Sequence, residues 1–367
     1  MEHINATDED WVLLRSFFPL GWKEIAHRTG ALKGLRQDKS EENCLRVLLM
    51  HLGCGYSMRE TVVRARQAQL ANISDVALLK RLRKSKEWLY QLCTALFSER
   101  GIEPTVHAPH ALRLIDATDV KEPGKTGSLW RIHYSLSWPE LKCDYFKLTP
   151  TKGEGCAESL RQHPLRKGDY ILADRGYSHA SGIHFASDRQ AFVVVRLNPD
   201  GIRIKNQSGQ PFELLEKLEP VQQTGEVACW DVLIPLVGCV SLPARLCIVR
   251  KSQVAIELAQ AKLRRRANKH GMELQPSTLI YAQYVMVLTT FPVKEFPPQV
   301  VLELYRFRWQ IELVFKRFKQ IAQLGHLPKQ DDDSSKAWLY GKLFVALLTE
   351  KLIAQARVFS PWGYSLQ

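Results

Sequence analysis

Residues 112–120 read LRLIDATDV and residues 169–177 read DYILADRGY. Each is a short apolar run that delivers an aspartate, Asp116 in the first and Asp174 in the second. Short apolar runs bounded by turn signals read as strands, and strand ends are where catalytic groups commonly sit. Hard divalent cations take carboxylate oxygens as ligands, and a pair of such ions stabilises both the attacking and the leaving oxygen of a phosphodiester. The two stretches therefore predict strands of an α/β core; converging carboxylates would suit metal-assisted phosphoryl chemistry, but sequence separation alone does not bring these two together. Asp119, three residues beyond Asp116, is the rival for the first position.

Working outward, LWRIHYSLSW (129–138) and CDYFKLTP (143–150) continue the strand pattern, with the Gly- and Pro-rich KEPGKTG (121–127) as a turn. CAESLRQHPL (156–165) reads as a helix-like link to Asp174. AFVVVRL, ACWDVLIPLV, ARLCIVR and YAQYVMVLTT then mark residues 190–292 as a mostly β insertion. After Pro298 the spacing turns helical through VVLELYRFRWQIELVFKRFKQIAQL (300–324). A closing helix follows, with Ser334 or Ser335 near its start.

Residues 1–103 are helical by period in DWVLLRSFF, NCLRVLLMHL and SDVALLKRLRKSKEWLYQLCTALF, with Ser57 and Ser74 placed to cap. The division expected is thus a helical domain over 1–103, the first part of the core over 104–189, the insertion over 190–292 and a helical remainder of the core over 293–367.

Fifty-one Lys and Arg against thirty-eight Asp and Glu leave a formal charge of +13, which draws phosphate polymers or anionic surfaces without choosing among them. Two cationic clusters are candidates for DNA contact. One is Lys80, Arg81, Arg83 and Lys84 on a single helix, and the other is Arg264, Arg265 and Arg266 within AQAKLRRRANKH. A solvated charged face is the alternative for both. Eight cysteines form no CxxC pair, and the chain opens on MEHINATDEDW rather than a basic and then apolar leader, so reduced thiols in a cytoplasm are expected. LFVALL is far shorter than the roughly 20 residues of a membrane span, and no membrane partner is expected. The histidines lack zinc-site spacing, no GxSxG occurs, and GKT at 124–126 lacks the first glycine of a phosphate loop.

YRFRWQIELVFKRFK places Tyr305, Arg308, Glu312 and Lys319 with two, three and six residues between them. This resembles the Y-(2)-R-(3)-E-(6)-K signature of the insertion sequence 4 family of transposases. A D-x-T at Asp116–Thr118 and a DRG at Asp174–Gly176 resemble the family's other two blocks. The resemblance spans residues 35–350. It implies an RNase H-like core interrupted by a β insertion, with Asp116, Asp174 and Glu312 as catalytic ligands of Mg²⁺, for which Mn²⁺ substitutes. Tyr305, Arg308 and Lys319 inherit contacts to the phosphates of the transposon end. Advances of three, four and seven residues put the four signature positions on one helical face.

The activity implied is cleavage at terminal inverted repeats followed by joining to target DNA, by a homodimer bridging two ends. Some relatives hold a flipped base on a tryptophan before this helix. Here that neighbourhood offers Tyr284, and Trp230 is the candidate substitute, with a core aromatic as the alternative reading. A DNA-binding protein that has lost catalysis and an RNase H-like structure-specific nuclease are the competing functions.

Overall fold

The computed structural model describes residues 6–35, 40–99, 111–121, 128–138, 142–153, 156–308 and 331–356. They fall into two compact units, one drawn from 1–103, 119–130 and 314–367, the other from 104–118 and 131–313.

The first unit is helical: α1 (Ala6–Ser16), α2 (Trp22–Arg28), α3 (Glu41–Leu52), α4 (Met58–Gln67), α5 (Asp75–Lys84), α6 (Lys86–Glu99) and α12 (Asp332–Ala356). Ser40, Ser57 and Ser74 begin α3, α4 and α5, each side chain accepting a hydrogen bond from a first-turn backbone N–H. These caps satisfy donors that a helix start otherwise leaves open. Leu45, Leu48 and Leu52 of α3, Leu78 and Leu82 of α5, and Leu89 and Leu92 of α6 are fully buried, together with Phe344 and Leu347 of α12. The C-terminal helix α12 thus packs with the amino-terminal helices, against α3, α5 and α6.

Its start differs from the serine cap expected. The Ser334 backbone N–H donates to Asp331 Oδ1 at 3.0 Å, and the Ser334 hydroxyl turns back onto the same carboxylate. Asp331 is therefore the cap, and Arg83 of α5 donates to it at 2.7 Å.

The second unit holds most of a sheet of eight strands: β1 (Ala111–Lys121), β2 (Ser128–Trp138), β3 (Lys142–Pro150), β4 (Asp169–Ala173), β5 (Phe192–Arg196), β6 (Val227–Ile234), β7 (Leu242–Arg250) and β8 (Tyr284–Thr289). Their order is β3-β2-β1-β4-β5-β8-β7-β6. β1, β4 and β5 pair in parallel, and β8, β7 and β6 continue antiparallel. The strands of the segment marked by sequence as an insertion thus extend the same sheet, because the unpaired N–H and C=O groups along the β5 edge accept another strand directly.

The helices of this unit are α7 (Ala180–Asp188), α8 (Leu214–Leu218), α9 (Gln253–His270), α10 (Pro276–Tyr281) and α11 (Pro298–Phe307). Of CAESLRQHPL only Leu160–Gln162 makes a turn of 3-10 helix, which the following Pro164 cannot extend.

Alternation divides the sheet's side chains. Ile115, Ala173, Val195, Leu288 and Leu246 face one large apolar cluster. Their immediate chain neighbours Asp116, Arg196, Val287 and Cys247 face the other side, and α11 packs over β5 to β8 with Val301, Leu302 and Tyr305 buried. On the cluster side, Arg113 is buried between Asp144 and Asp169 at 2.7 and 2.8 Å, so its charge is desolvated but paired twice. No helix among the described residues is long and apolar enough to cross a membrane.

Two outcomes follow from the helical unit. A Cβ on Gly341 of α12 would overlap the buried Leu52 side chain, 2.8 Å from Cδ2, so Gly341→Val lowers stability by about 1–3 kcal/mol in urea unfolding. An unchanged midpoint would mean that α3 and α12 are not in that contact. Asp331 is half-exposed. Burial pulls its pKa upward, but the Ser334 hydroxyl and backbone N–H, with Arg83, hold it at about 2, below the ordinary 3.8. Its stabilisation is present above pH 3.8 and lost as pH falls through about 2. Asp331→Ala is therefore less stable than wild type at neutral pH, by about 1 kcal/mol, and the gap closes between pH 4 and 2. A gap independent of pH would rule the carboxylate out as its source.

Candidate active site

The parallel register of β1 and β4 pairs Ile115 with Ala173. Asp116 and Asp174 are the next residues on the two strands, so they emerge side by side. β1 runs on to Lys121, which puts Asp116 in mid-strand rather than at the strand end expected from sequence. Asp174 does leave the end of β4 and opens the 3-10 turn Arg175–Tyr177. Asp119 lies three residues further along β1, where alternation turns its side chain to the face opposite Asp116.

Arg308, immediately after α11, spans both aspartates: Nη1 is 4.0 Å from Asp116 Oδ2 and Nε is 3.9 Å from Asp174 Oδ1. Its guanidinium also lies 5.7 Å from the centre of the Tyr305 ring. Tyr305 is buried, which pushes its hydroxyl pKa up. The signature helix thus brings a tyrosine and an arginine to the aspartate pair.

Burial is the main reason the Asp116 pKa is raised to about 7. The Asp174 and Glu158 charges add to the rise, while the Ala117 N–H, 2.8 Å from Asp116 Oδ1, and Arg308 oppose it. A partly desolvated carboxylate beside another carboxylate is destabilised as an anion, and a divalent cation relieves that destabilisation most directly. Both side chains offer oxygen, which suits a hard divalent cation better than a softer metal. Among the described residues no three His, Cys, Asp or Glu side chains converge as a metal site. The expected third ligand, Glu312, lies outside the described residues, as does Lys319.

Two neighbours escaped the sequence reading. Glu158 adds a third negative charge near Asp116 and sits 3.9 Å from Arg131. A Cβ on Gly176 would overlap the Glu158 carboxylate, which gives the glycine of DRG a steric reason. Tyr177 is fully buried, and burial together with Asp116 and Glu158 pushes its hydroxyl pKa up. Tyr177 follows DRG directly, a signal available in the sequence; nothing in it ties Glu158 to Asp116. Arg175 points elsewhere, donating to Asn198 Oδ1 at 3.0 and 2.6 Å.

The proposed DNA contacts divide by exposure. Arg264, Arg265 and Arg266 lie exposed on α9, whose inner side is held by Ile256 and Ala267. Lys80 is exposed on α5. Arg81 is a correction: it is buried, and its guanidinium donates to the carbonyls of Ala31 and Lys33, so it is a structural crosslink rather than a DNA contact. Arg83 is engaged by Asp331, and Lys84 donates to the Lys33 carbonyl at 3.2 Å while remaining exposed. Trp230 packs at the edge of the apolar cluster, 6.0 Å from the Phe212 ring, and the Tyr284 hydroxyl donates to the Leu218 and Val221 carbonyls. Both aromatics therefore have packing roles.

Comparison with known proteins bears on this site. A family model described as Transposase DDE domain matches residues 150–348, which include Asp174 and Glu312. The chain is 30% identical to the transposase for insertion sequence element IS421 of Escherichia coli, over 98% of each chain. It has the same identity and coverage with a putative transposase, InsL, for insertion sequence element IS186A of Escherichia coli strain K12. It is 25% identical to the transposase for element IS231F of Bacillus thuringiensis, over 56% of this chain and 45% of that one. In fold it is similar to the piggyBac transposase of a synaptic complex with hairpin DNA, with a TM-score of 0.53 and 10% identity over 97% of this chain and 77% of that one. The α/β core is thus RNase H-like, and the chain belongs to the DDE transposases of the insertion sequence 4 family.

Proposed function

We propose that this transposase binds the terminal inverted repeats of its element as a homodimer in the bacterial cytoplasm, cuts the DNA at those ends and joins them to target DNA. The observation that carries the reading is the β1–β4 register, which sets Asp116 beside Asp174 with Arg308 across both. Asp116, Asp174 and Glu312 would hold Mg²⁺, with Mn²⁺ as substitute. Bound there, the ions stabilise the charge on the attacking and leaving oxygens of the phosphodiester.

The chain's own groups do the rest. Arg308 offsets one of the two carboxylate charges, and its guanidinium is of the kind that recognises a phosphate. Tyr305 backs that guanidinium with its ring. Lys319, from the same signature, adds a cation for the transferred strand. Lys80 and Lys84 on the helical unit and Arg264, Arg265 and Arg266 on α9 are exposed cations suited to the DNA backbone. Backbone contacts of this kind carry affinity but no sequence information, and they weaken with salt.

The test is cleavage and joining of labelled DNA carrying the inverted repeats in Mg²⁺. Asp174→Asn and Glu312→Gln retain end binding and lose cutting, and Arg308→Ala slows cutting by about 10²–10³-fold. End binding by wild type without cleavage in either Mg²⁺ or Mn²⁺ would leave a DNA-binding protein; cleavage without joining, a nuclease. Arg264→Glu combined with Arg266→Glu reduces the slope of log affinity against log salt by about 1–2; an unchanged slope removes α9 from the DNA path.

A further inference from the structure

On the face of the sheet opposite the apolar cluster, Cys229 of β6 lies directly across from Cys247 of β7. Their sulfurs are 3.5 Å apart, in contact as free thiols. The ladder explains the closeness. The Arg250 N–H donates to the Glu226 carbonyl at 3.0 Å, so 226 and 250 form a hydrogen-bonded pair, and alternation makes 229 and 247 a non-hydrogen-bonded one. At such pairs the Cα atoms stand about 4.5 Å apart and the side chains lean together, a separation within the range a disulfide spans. The two sulfurs therefore meet without backbone movement.

The surroundings make the two thiols unequal. β6 is the last strand of the sheet and Cys229 is half-buried, whereas Cys247 is fully buried. The Cys247 S–H that faces Cys229 is the main cause holding the Cys229 pKa down, with help from the Arg245 guanidinium, and Cys247 is pushed up in turn. Cys229 is thus the better thiolate and the more accessible one, and Cys247 is placed behind it as the resolving thiol.

We propose that Cys229 and Cys247 form a peroxide-sensitive modification site that closes reversibly to a cross-strand disulfide. The Cys229 thiolate attacks the terminal oxygen of a hydroperoxide, forming the S–O bond of a sulfenic acid and expelling an alkoxide or hydroxide, which takes up the proton released by the thiol. The Cys247 thiol then attacks that sulfenic sulfur. The S–S bond forms, the S–O bond breaks, and the hydroxyl leaves as water with the Cys247 proton. Two electrons pass from the two sulfurs to the peroxide bond, and a dithiol returns them on reduction. The bridge ties together two of the strands over which α11 packs, on the face that also carries Asp116.

The full-length reduced protein is exposed to hydrogen peroxide, alkylated and digested without reduction for mass spectrometry. The exposed thiols Cys54 and Cys239 serve as internal controls. The expected product is a peptide pair linked through Cys229 and Cys247, two hydrogens lighter than its free halves and restored by dithiothreitol. In Cys247→Ala, dimedone captures Cys229 as the sulfenic acid, while in wild type that adduct is largely lost to the bridge. The proposal is overturned if Cys229 and Cys247 stay alkylatable at peroxide levels that oxidise Cys54 and Cys239. It is equally overturned if Cys229 links to the other cysteines as readily as to Cys247. The wild-type readout stands even if the variant fails to fold.

Discussion

The parallel pairing of β1 with β4 is the constraint on which the catalytic unit depends. Asp116 and Asp174 are far apart in sequence, and no local preference brings them together. Once Ile115 is paired with Ala173, the pleat puts both aspartates on the same face, one step beyond the pair. A slip of one residue would send Asp116 into the apolar cluster and lift Ile115 out of it. Burial of Ile115, Ala173 and Val195 on one side therefore enforces the carboxylate geometry on the other, and apolar packing positions the charged groups.

Bringing two carboxylates together while partly removing them from water is unfavourable, and the fold offsets this with Arg308. The arginine stands near the limit of ion-pair distance from each aspartate rather than closing tightly on one. Such a placement moderates the repulsion without locking the site and leaves the carboxylate oxygens room to ligate. Gly176 serves the same economy of space, since any side chain there would displace Glu158.

Charge in this protein divides between folding and surface. Arg81 and Arg113 are used inside, one satisfying backbone carbonyls and the other joining two aspartates, and Arg83 reinforces the cap of α12. A net charge of +13 therefore overstates the cationic surface facing a polyanion. The exposed arginines of α9 are the opposite case. Only Ile256 and Ala267 hold that helix to its unit as buried residues, and its charged side stays in solvent.

Much of this was legible in the residues themselves. Period marked α3, the cap Ser57 marked α4, and period with the cap Ser74 marked α5, because a serine side chain can only satisfy a nearby N–H. The apolar runs marked the central strands, and the helical spacing after Pro298 marked α11, which carries Tyr305. What the sequence could not contain was anything set by pairing at long range. That the strands of 190–292 extend the same sheet, that α12 packs with the amino-terminal helices and that Glu158 neighbours Asp116 are such features. The same holds for Arg81 turning inward and for Cys229 meeting Cys247. Helix periods and caps are local hydrogen-bond and burial preferences within a few residues, whereas register, sheet order and side-chain partnership arise only when distant segments compete for the same core.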